Sequence, residues 1–402
     1  MKKILGTSMA LILTFALTAC SGNPAPKADA GKGSEVPAKE TTAEAVKGDT
    51  IRIGITTALT GPSPLNGQRT KEGVTMAVEE INANGGVAGK TLEAVIEDDG
   101  ATTSGTMNSV NKLLSENVVA LIGPHMSSNV VAVQEQLKNQ KMPFLYGGSS
   151  PTLLDLNNEY GFRVRPSDSL ACKIACKYLT DKLQCKNIGM IFDNDNWATS
   201  AKDVVEATLK EQGVGFISEG YNTGDKDMTG QLTKLKNSGI DALIIWGHDA
   251  EIAIIAKQIK EVGIDTPIMG SAGFAMSTVL DLIDPSVSEG ICSVSEFTPY
   301  SDDERVSGFV KRYHEKYNSD PDLYSAAYYD AVYLLKDAIE RAGSTEPDQL
   351  RTALAETKGL AGVMSTMTAS DKGEMIHEMN ICQVKDGKAY VIERIFEDGY
   401  EQ

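Results

Sequence analysis

The segment NANGGVAGKT, residues 82–91, ends in Gly89-Lys90-Thr91, which is how a phosphate-binding loop ends. Such a loop would hold a nucleotide, and it needs a glycine five residues before the last one, where this chain has Asn84. A phosphate-binding loop also follows a strand and opens a helix, so that its N–H groups face the phosphates. Here a helical pattern of apolar residues precedes the glycines, and an alternating strand pattern follows them. The segment therefore predicts a turn from a helix into a strand.

A second segment, VVALIGPHMSSNVVAVQEQLK, carries two hydroxyl groups where a helix is predicted to begin. The buried strand pattern ends at Gly123, and the helical pattern starts close to Ser127 and Ser128. Hydroxyls and free N–H groups at a helix start suit a carboxylate ligand. The alternative is that one of these serines only caps the helix. The residues by themselves leave both interpretations open.

The segment FLYGGSSPTLLD, residues 144–155, repeats this arrangement. Pro151 suits the first position of a helix, and Ser150 suits its N-cap. Gly147 and Gly148 would let the backbone approach a ligand closely. We therefore expect a second loop with polar groups beside the first.

Strands and helices alternate along the chain from Thr50 onward, and they must position these loops. Short apolar strands separated by helices predict parallel sheets that are covered on both faces. The alternation breaks near Arg165 and then resumes, which predicts an α/β fold of two doubly wound parallel-sheet lobes. In such sheets ligands bind beyond the carboxyl ends of the strands, where the serine-bearing loops lie.

The chain from about Ile51 to its C-terminus resembles the type I periplasmic solute-binding proteins of branched-chain amino acid (Leu/Ile/Val) ABC importers. The resemblance rests on four segments that occur in order: IRIGITTALTGP, GVTMAVEEINANGGVAGKTLEAVIEDD, VVALIGPHMSSNVVAV and YSAAYYDAVYLLKDAIERAGS. In that family NGGVAGKT is the turn between the first helix and the second strand. The resemblance implies a receptor that closes on its ligand by a hinge motion and is then recognised by the membrane permease.

The resemblance also implies where the lobes divide. The family fold joins two lobes by three crossings of the chain, which would lie near Arg165, Thr298 and His377. One lobe would then comprise residues 50–166 and 299–377, and the other residues 167–298 and 378–402.

The resemblance implies a set of ligand-binding residues. Ser127, with Ser128 beside it, falls at a carboxylate-binding serine of the family. Ser149 falls where a hydroxyl contacts both the carboxylate and the ammonium, and the carbonyl of Gly147, with Gly148 next to it, falls at a further ammonium contact. The walls of the site would be residues that match aromatic or apolar positions of the family, although such side chains are as often part of a core: Asn66, Trp197, His248 and Tyr324.

One departure from the family pattern concerns the ligand's ammonium group. The family places an acid from the second lobe at a position that is Ala272 here, and an alanine cannot neutralise a buried ammonium. Asp249 could replace that acid if it points into the cleft, or it could be a loop residue that points to water. Otherwise the ligand is a carboxylate without an amine, such as a 2-hydroxy, 2-oxo or aromatic acid. We favour an amino acid with a relocated partner.

The N-terminus resembles a bacterial lipoprotein signal. Two lysines precede an apolar run from Ile4 to Leu17, which is too short to span a membrane. Leu17-Thr18-Ala19-Cys20 resembles a lipobox, so residues 1–19 would be the signal peptide and Cys20 the lipidated first residue. Residues 20–49 are rich in Ala, Pro, Gly, Lys and Glu, which predicts a disordered tether. We therefore expect an extracytoplasmic protein on the outer face of the cell membrane, or in the periplasm of a two-membrane cell.

Charge and composition exclude several classes of function. The chain carries 38 Lys and Arg against 55 Asp and Glu, a formal charge of −17, which argues against nucleic-acid partners. No catalytic, cofactor or metal motif has the right spacing, so we expect a monomeric binding protein without catalysis, cofactor or metal. A sensor that signals to a membrane partner remains an alternative to import. Five cysteines are left besides Cys20, and we expect them to be small buried thiols: Cys172, Cys176, Cys185, Cys292 and Cys382.

Overall fold

The structure is a computed structural model that describes residues 50–396. The predictions for the signal peptide, Cys20 and the tether lie outside the described residues. Among the described residues, no helix combines the length and the apolar character that a membrane crossing requires.

The first third of the described chain, residues 50–163, contains a five-stranded parallel sheet in the order β2-β1-β3-β4-β5. Its interior strand β1 buries Ile53 and Ile55 completely, because helices cover both faces of the sheet. The strands are β1 Thr50–Thr57, β2 Thr91–Asp98, β3 Leu121–Ile122, β4 Phe144–Tyr146 and β5 Gly161–Arg163. The helices between them are α1 Pro64–Ala83, α2 Thr103–Ser115 and α3 Ser127–Asn139, with a 3-10 helix at Pro151–Leu156.

The second sheet has seven strands, of which the first five in the chain are parallel and the last two form an antiparallel hairpin on one edge. Its five parallel strands are β6 Asn187–Asp193, β7 Gly215–Tyr221, β8 Ala242–Trp246, β9 Ile268–Gly270 and β10 Cys292–Ser295. A separate two-stranded ladder and the hairpin follow as β11 Leu360–Ala361, β12 Thr366–Met367, β13 Glu378–Lys385 and β14 Lys388–Phe396.

Helices surround this second sheet and return the chain to the first one. Those beside the second sheet are α4 Asp168–Lys177, α5 Asn196–Glu211, α6 Thr229–Asn237, α7 Asp249–Val262, α8 Ser277–Leu280 and α9 Pro285–Ser288. Those that return the chain to the first sheet are α10 Glu304–Tyr317, α11 Leu323–Ala342 and α12 Pro347–Ala355. A π-helical turn at Tyr178–Lys182 extends α4, and a 3-10 helix at Ala272–Ala275 follows β9. The five cysteines of this part of the chain are all buried free thiols, as expected.

The predicted fold class is confirmed, since both sheets are parallel in their main part and lie between helices. The short strand β5 was not predicted. The first helix begins at Pro64, a residue that suits the first turn of a helix. The lobe boundaries near Arg165, Thr298 and His377 stay a prediction about where the hinge lies.

The glycine turn of the opening segment joins α1 to β2. Gly85, Gly86 and Gly89 all have positive φ, and a bridge between Val87 and Lys90 closes the turn. A Cβ at Gly86 would lie 2.0 Å from the carbonyl oxygen of Lys90. No helix begins in this turn, so the phosphate-loop interpretation is wrong and the predicted turn is present.

The contact between α1 and α11 fixes one face of the first sheet. Gly73 lies in the middle of α1, and a Cβ there would lie 2.1 Å from the carbonyl oxygen of Ser325 at the start of α11. The two helix backbones therefore approach each other at a point where only glycine fits.

We expect Gly73→Ala to destabilise the fold by about 1–3 kcal/mol, because the new methyl group forces the helices apart. The matched control is Gly308→Ala in α10, where the nearest atom to the new Cβ is the end of the Arg312 side chain at 3.7 Å. That control should gain about 0.5–1 kcal/mol from helix propensity alone. Urea unfolding of the three proteins measures both effects, and equal stabilities of the two variants would contradict the prediction.

Candidate functional site

Ser127 connects the loops that follow β3 and β4. It is the first residue of α3, and its Oγ accepts a hydrogen bond of 3.1 Å from the backbone N–H of Ser150. The N-cap position is Met126, which provides no side-chain cap, so the interpretation of Ser127 or Ser128 as the cap is wrong. Ser128 is exposed. Because β3 and β4 are parallel neighbours, both loops lie at the same edge of the sheet.

The two glycines after β4 are required by packing within the protein. A Cβ at Gly147 would lie 2.5 Å from the hydroxyl of Tyr328, and one at Gly148 would lie 3.1 Å from the Cα of Ser127. The carbonyl of Gly147 accepts a hydrogen bond of 3.4 Å from Arg165 Nη1. The backbone at these two glycines is thus closely approached, as expected, but in this structure it is approached by Tyr328 and Ser127.

Ser149 connects the half of the molecule built on the first sheet with the half built on the second. Its Oγ donates to Asp168 Oδ2 at 3.0 Å and accepts from Trp197 Nε1 at 3.1 Å. Trp197 Nε1 also makes a short hydrogen bond to the same carboxylate oxygen. Ser149 follows a strand of the first sheet, whereas Asp168 and Trp197 lie on α4 and α5 beside the second sheet. The sequence interpretation included Ser149 and Trp197 and missed Asp168.

The Asp168 carboxyl is buried, with 8% of its surface exposed. Burial raises its pKa to about 6, against the opposing influence of Arg165 and of the hydrogen bonds from Trp197 and Ser149. One sequence signal could have identified Asp168. It follows Ser167 just before a predicted helix, and an acid at a helix start in this fold faces the loops of the neighbouring sheet. Ser167 caps α4 by accepting a hydrogen bond from Ser169 N.

His248 supports the Trp197 ring. The two rings lie 5.0 Å apart between centroids at an angle of 34°. His248 Nε2 lies 2.9 Å from Asp195 Oδ2, and Asp195 also caps α5 through Ala198 N. Hydrogen bonding to Asp195 raises the pKa of His248, although burial alone would lower it. The imidazole and the carboxylate therefore fix the start of the helix that presents Trp197.

Asp193 lies close to the pair formed by Asp195 and His248. The three side chains are close together: one oxygen or nitrogen atom from each of Asp193, Asp195 and His248 lies within 4.8 Å of the other two. Sequence spacing could not predict this group, because the residues lie at the end of β6 and just after β6 and β8. Asp193 is buried and its Oδ1 accepts from Asp195 N and from the Thr223 hydroxyl. These bonds hold the loop after β6 in place.

Asp249 reaches across the cleft to the first half of the molecule. It is the first residue of α7, and its Oδ2 accepts a hydrogen bond of 3.2 Å from Asn66 Nδ2 in α1. The interpretation as a loop acid pointing to water is therefore wrong. Ala272 begins the 3-10 helix after β9, and a Cβ on the next residue, Gly273, would lie 3.8 Å from Asp249 Oδ1. Asp249 thus lies beside the position where the expected acid is replaced by Ala272.

Tyr324 forms the remaining wall together with two polar side chains. Its ring lies edge-on to His125 with 5.3 Å between centroids, and 5.2 Å from the guanidinium carbon of Arg165. His125 is buried, and burial together with the nearby Arg165 charge lowers its pKa to about 4, so the ring is neutral at pH 7. Arg165 Nε donates to Glu296 Oε1 at 2.5 Å, which forms a buried ion pair. The sequence interpretation missed His125 and Glu296.

Hydroxyls, neutral donors and carboxyl groups therefore converge between the two sheets. Most of the predicted residues lie at this place, and Ser128 is the one that is exposed. The hydroxyls can donate to an anionic group, and the carboxyl groups can accept from a cationic one. Such a combination suits a zwitterion.

Known binding proteins are similar to this chain in sequence and in fold. The family described as periplasmic binding protein matches residues 50–389. A Pseudomonas aeruginosa relative named leucine-, isoleucine-, valine-, threonine-, and alanine-binding protein is 26% identical over 309 residues, which are 76% of this chain and 82% of the relative.

Two solved structures extend the similarity to the fold. The branched-chain amino acid transporter substrate binding protein LivJ of Streptococcus pneumoniae, in complex with isoleucine, has a TM-score of 0.80 and 26% identity, and the match covers 87% of this chain and 100% of that one. An ABC transporter substrate-binding protein of Desulfitobacterium hafniense, in complex with leucine, has a TM-score of 0.72 and 25% identity, over 86% of this chain and 100% of that one.

Asp168→Asn tests the buried carboxyl. Between about pH 4 and pH 6 the folded protein holds a proton on Asp168 that the unfolded chain has released, because the pKa rises from 3.8 to about 6 on folding. The stability of the wild type should therefore fall as the pH rises through this window, by up to about 3 kcal/mol relative to the variant. Urea unfolding at several pH values measures this difference. The exposed Asp371→Asn should follow the wild type, and an Asp168→Asn protein that does so as well would contradict the assignment.

Proposed function

This chain belongs to the periplasmic binding protein family, and from that premise we propose that it is the solute-binding lipoprotein of an ABC importer and captures a branched-chain or related amino acid. The observation that supports this most is the contact of Ser149 with Asp168 and Trp197, in which a loop of the first sheet meets two helices of the second. The named relatives that bind leucine, isoleucine or valine support the amino acid as the ligand.

The ligand's carboxylate is held at Ser127 and Ser149 in this proposal. Both hydroxyls lie at the carboxyl edge of the first sheet, and Ser127 begins α3, whose N-terminal N–H groups favour an anion. The ammonium group is held by the carbonyl of Gly147 and by Asp168, which replaces the acid that is missing at Ala272. A buried carboxyl beside Ser149 argues against the alternative of a carboxylate ligand without an amine, because such a ligand would face an unpaired negative charge.

Closure of the two halves captures the ligand. Polar side chains join the two halves across the cleft, through the hydrogen bonds of Asn66 to Asp249 and of Ser149 to Asp168 and Trp197. The segments near Arg165, Thr298 and His377 act as the hinge, and the closed form is what the permease recognises. The protein has no catalytic role in this proposal, and it works as a monomer.

Anchoring to the membrane follows from the N-terminal sequence. The lipobox Leu17-Thr18-Ala19-Cys20 supports lipidation of Cys20 after removal of residues 1–19. The following residues, up to 49, tether the binding domain at the outer face of the membrane.

Ser127→Ala and Ser149→Ala should each weaken ligand binding by about 1–3 kcal/mol, since each removes a hydrogen-bond donor to the carboxylate. A thermal-shift screen of the protein amino acids and of the 2-oxo analogues of leucine, isoleucine and valine first identifies the ligand. At about a hundred times its Kd, a ligand adds about 2.7 kcal/mol of apparent stability. Calorimetry with that ligand then gives the affinities of the variants.

Ser104→Ala, an exposed serine in the first turn of α2, is the matched control and should bind like the wild type. A screen in which no amino acid stabilises the protein would contradict the proposed function. Unchanged affinity in both serine variants would place the carboxylate site elsewhere.

Cys20→Ser should block lipidation, because the hydroxyl cannot replace the thiol that receives the lipid. The variant should appear in the soluble extracellular or periplasmic fraction, or remain unprocessed, whereas the wild type stays with the membrane after a high-salt wash. Fractionation and N-terminal mass spectrometry distinguish these states. A membrane-bound variant with a normally processed N-terminus would contradict the lipobox assignment.

A further inference from the structure

The cationic side chains in the cleft already have anionic partners. Arg165 is bonded to Glu296 at 2.5 Å, and both residues are buried. His248 is paired with Asp195 at 2.9 Å. The ion pairs of both cations are thus with these two acids, although the Arg165 charge still favours the ionised form of Asp168, and the His248 and Arg165 charges favour that of Asp249.

Two other carboxyl groups in the cleft lack such a partner. Asp168 receives its hydrogen bonds from the neutral donors Ser149 and Trp197, and Asp249 receives one from the neutral amide of Asn66. Within residues 50–396 neither acid forms an ion pair with a lysine, arginine or histidine. Burial raises the pKa of both, so the effect of burial exceeds the stabilisation that their neutral donors and the nearby Arg165 give to the ionised forms.

The wall near Asn66 is polar. His125 follows the cis-proline Pro124 in the loop that leads to Ser127, and 7% of its surface is exposed. Its Nε2 lies 3.5 Å from the hydroxyl of Ser63, and its Nδ1 has no hydrogen-bond partner among the described residues. In the tautomer that donates from Nε2, Nδ1 is an acceptor. A wholly aliphatic ligand side chain against this ring would leave the acceptor desolvated and unsatisfied.

We propose that the ligand is an amino acid whose side chain carries a second positive charge, as an ammonium or guanidinium group, so that the cleft binds two cationic groups and one carboxylate. This inference rests on the proposed function and defines its ligand class. Asp168 and Asp249 can each accept from one cationic group, whereas a leucine-like ligand offers only its α-ammonium and would leave one of these two acids without a cationic partner.

Each cationic group has its own place. The α-ammonium lies at Asp168, because Ser149 and Gly147 of the same loop also contact the α-groups in the proposed binding mode. The side-chain cation lies at Asp249, where Asn66 fixes the carboxylate from the opposite side of the cleft. Asp249 therefore determines specificity, and Asp168 contributes to the binding of every amino acid.

The hydrogen bond between Asn66 and Asp249 could also act only as a latch that holds the cleft closed. A latch would stabilise the closed form equally for all ligands, whereas a specificity residue acts on the side-chain charge. Pairs of ligands that differ by that charge separate the two roles.

Calorimetry with lysine against norleucine, and ornithine against norvaline, compares side chains of similar length with and without the terminal ammonium. We expect the basic member of each pair to bind the wild type about 10- to 100-fold more tightly, the range for a hydrogen bond between charged groups. Arginine is included to test the guanidinium form. If norleucine, norvaline or leucine binds as tightly as the basic amino acids, the inference is overturned while the proposed function stands.

Asp249→Asn should weaken the binding of lysine far more than that of norleucine and so abolish most of the preference, and Asp249→Glu should keep the preference. The matched control is Asp265→Asn, an exposed acid in the loop between α7 and β9, which should behave like the wild type. Equal weakening of lysine and norleucine by Asp249→Asn would assign a latch role and overturn the inference. If Asp249→Asn does not fold, the comparison of basic and neutral amino acids on the wild type still decides the inference, because it needs no variant. If no amino acid binds at all, the proposed function fails together with the inference.

Discussion

The buried ion pair of Arg165 and Glu296 is the interaction on which the geometry of the cleft depends. Arg165 follows β5, where the chain leaves the first sheet, and Glu296 follows β10, where it leaves the second. The same guanidinium reaches the carbonyl of Gly147 and lies against the ring of Tyr324. Removing either partner would leave a buried charge uncompensated, at a cost of about 3–5 kcal/mol. The pair therefore fixes two connections between the sheets and the backbone of the loop after β4 at once.

Around this ion pair, residues at the starts of helices provide most of the polar groups of the cleft. Ser127, Asp168 and Asp249 are each the first residue of a helix, and Asp195 is an N-cap. A helix start in an α/β fold lies beyond the carboxyl end of a strand, so two facing sheets bring several helix starts into one cleft. Acids are favoured at such positions by the helix dipole even when they serve no ligand. This explains how the cleft contains acids that can replace the one missing at Ala272.

The contacts across the cleft differ in kind from the contacts that build each half. The strands of both sheets and the α1–α11 crossing bury apolar side chains. Across the cleft, Ser149 is hydrogen-bonded to Asp168 and Trp197, and Asn66 to Asp249. A polar interface exchanges its hydrogen bonds for water at a small net free energy, so a ligand that adds charge-assisted bonds can shift the balance toward closure. The Asp195–His248 pair has a related role, since it holds the ring of Trp197 ready for that contact.

The sequence by itself determined the alternation of strands and helices, the turn at Gly85 and Gly86, and the two serine-bearing loops, because these depend on local periodicity and on residues next to each other in the chain. The resemblance to a family added most of the cleft residues. What only the tertiary structure decided was the partner of each polar group. Ser127 contacts Ser150 N instead of capping its helix, and Asp249 points to Asn66 instead of water. Asp168 meets Trp197 although 29 positions separate them. Hydrogen bonds and ion pairs between distant residues leave no periodic signal in a sequence, since only the packing of the two sheets brings their side chains together.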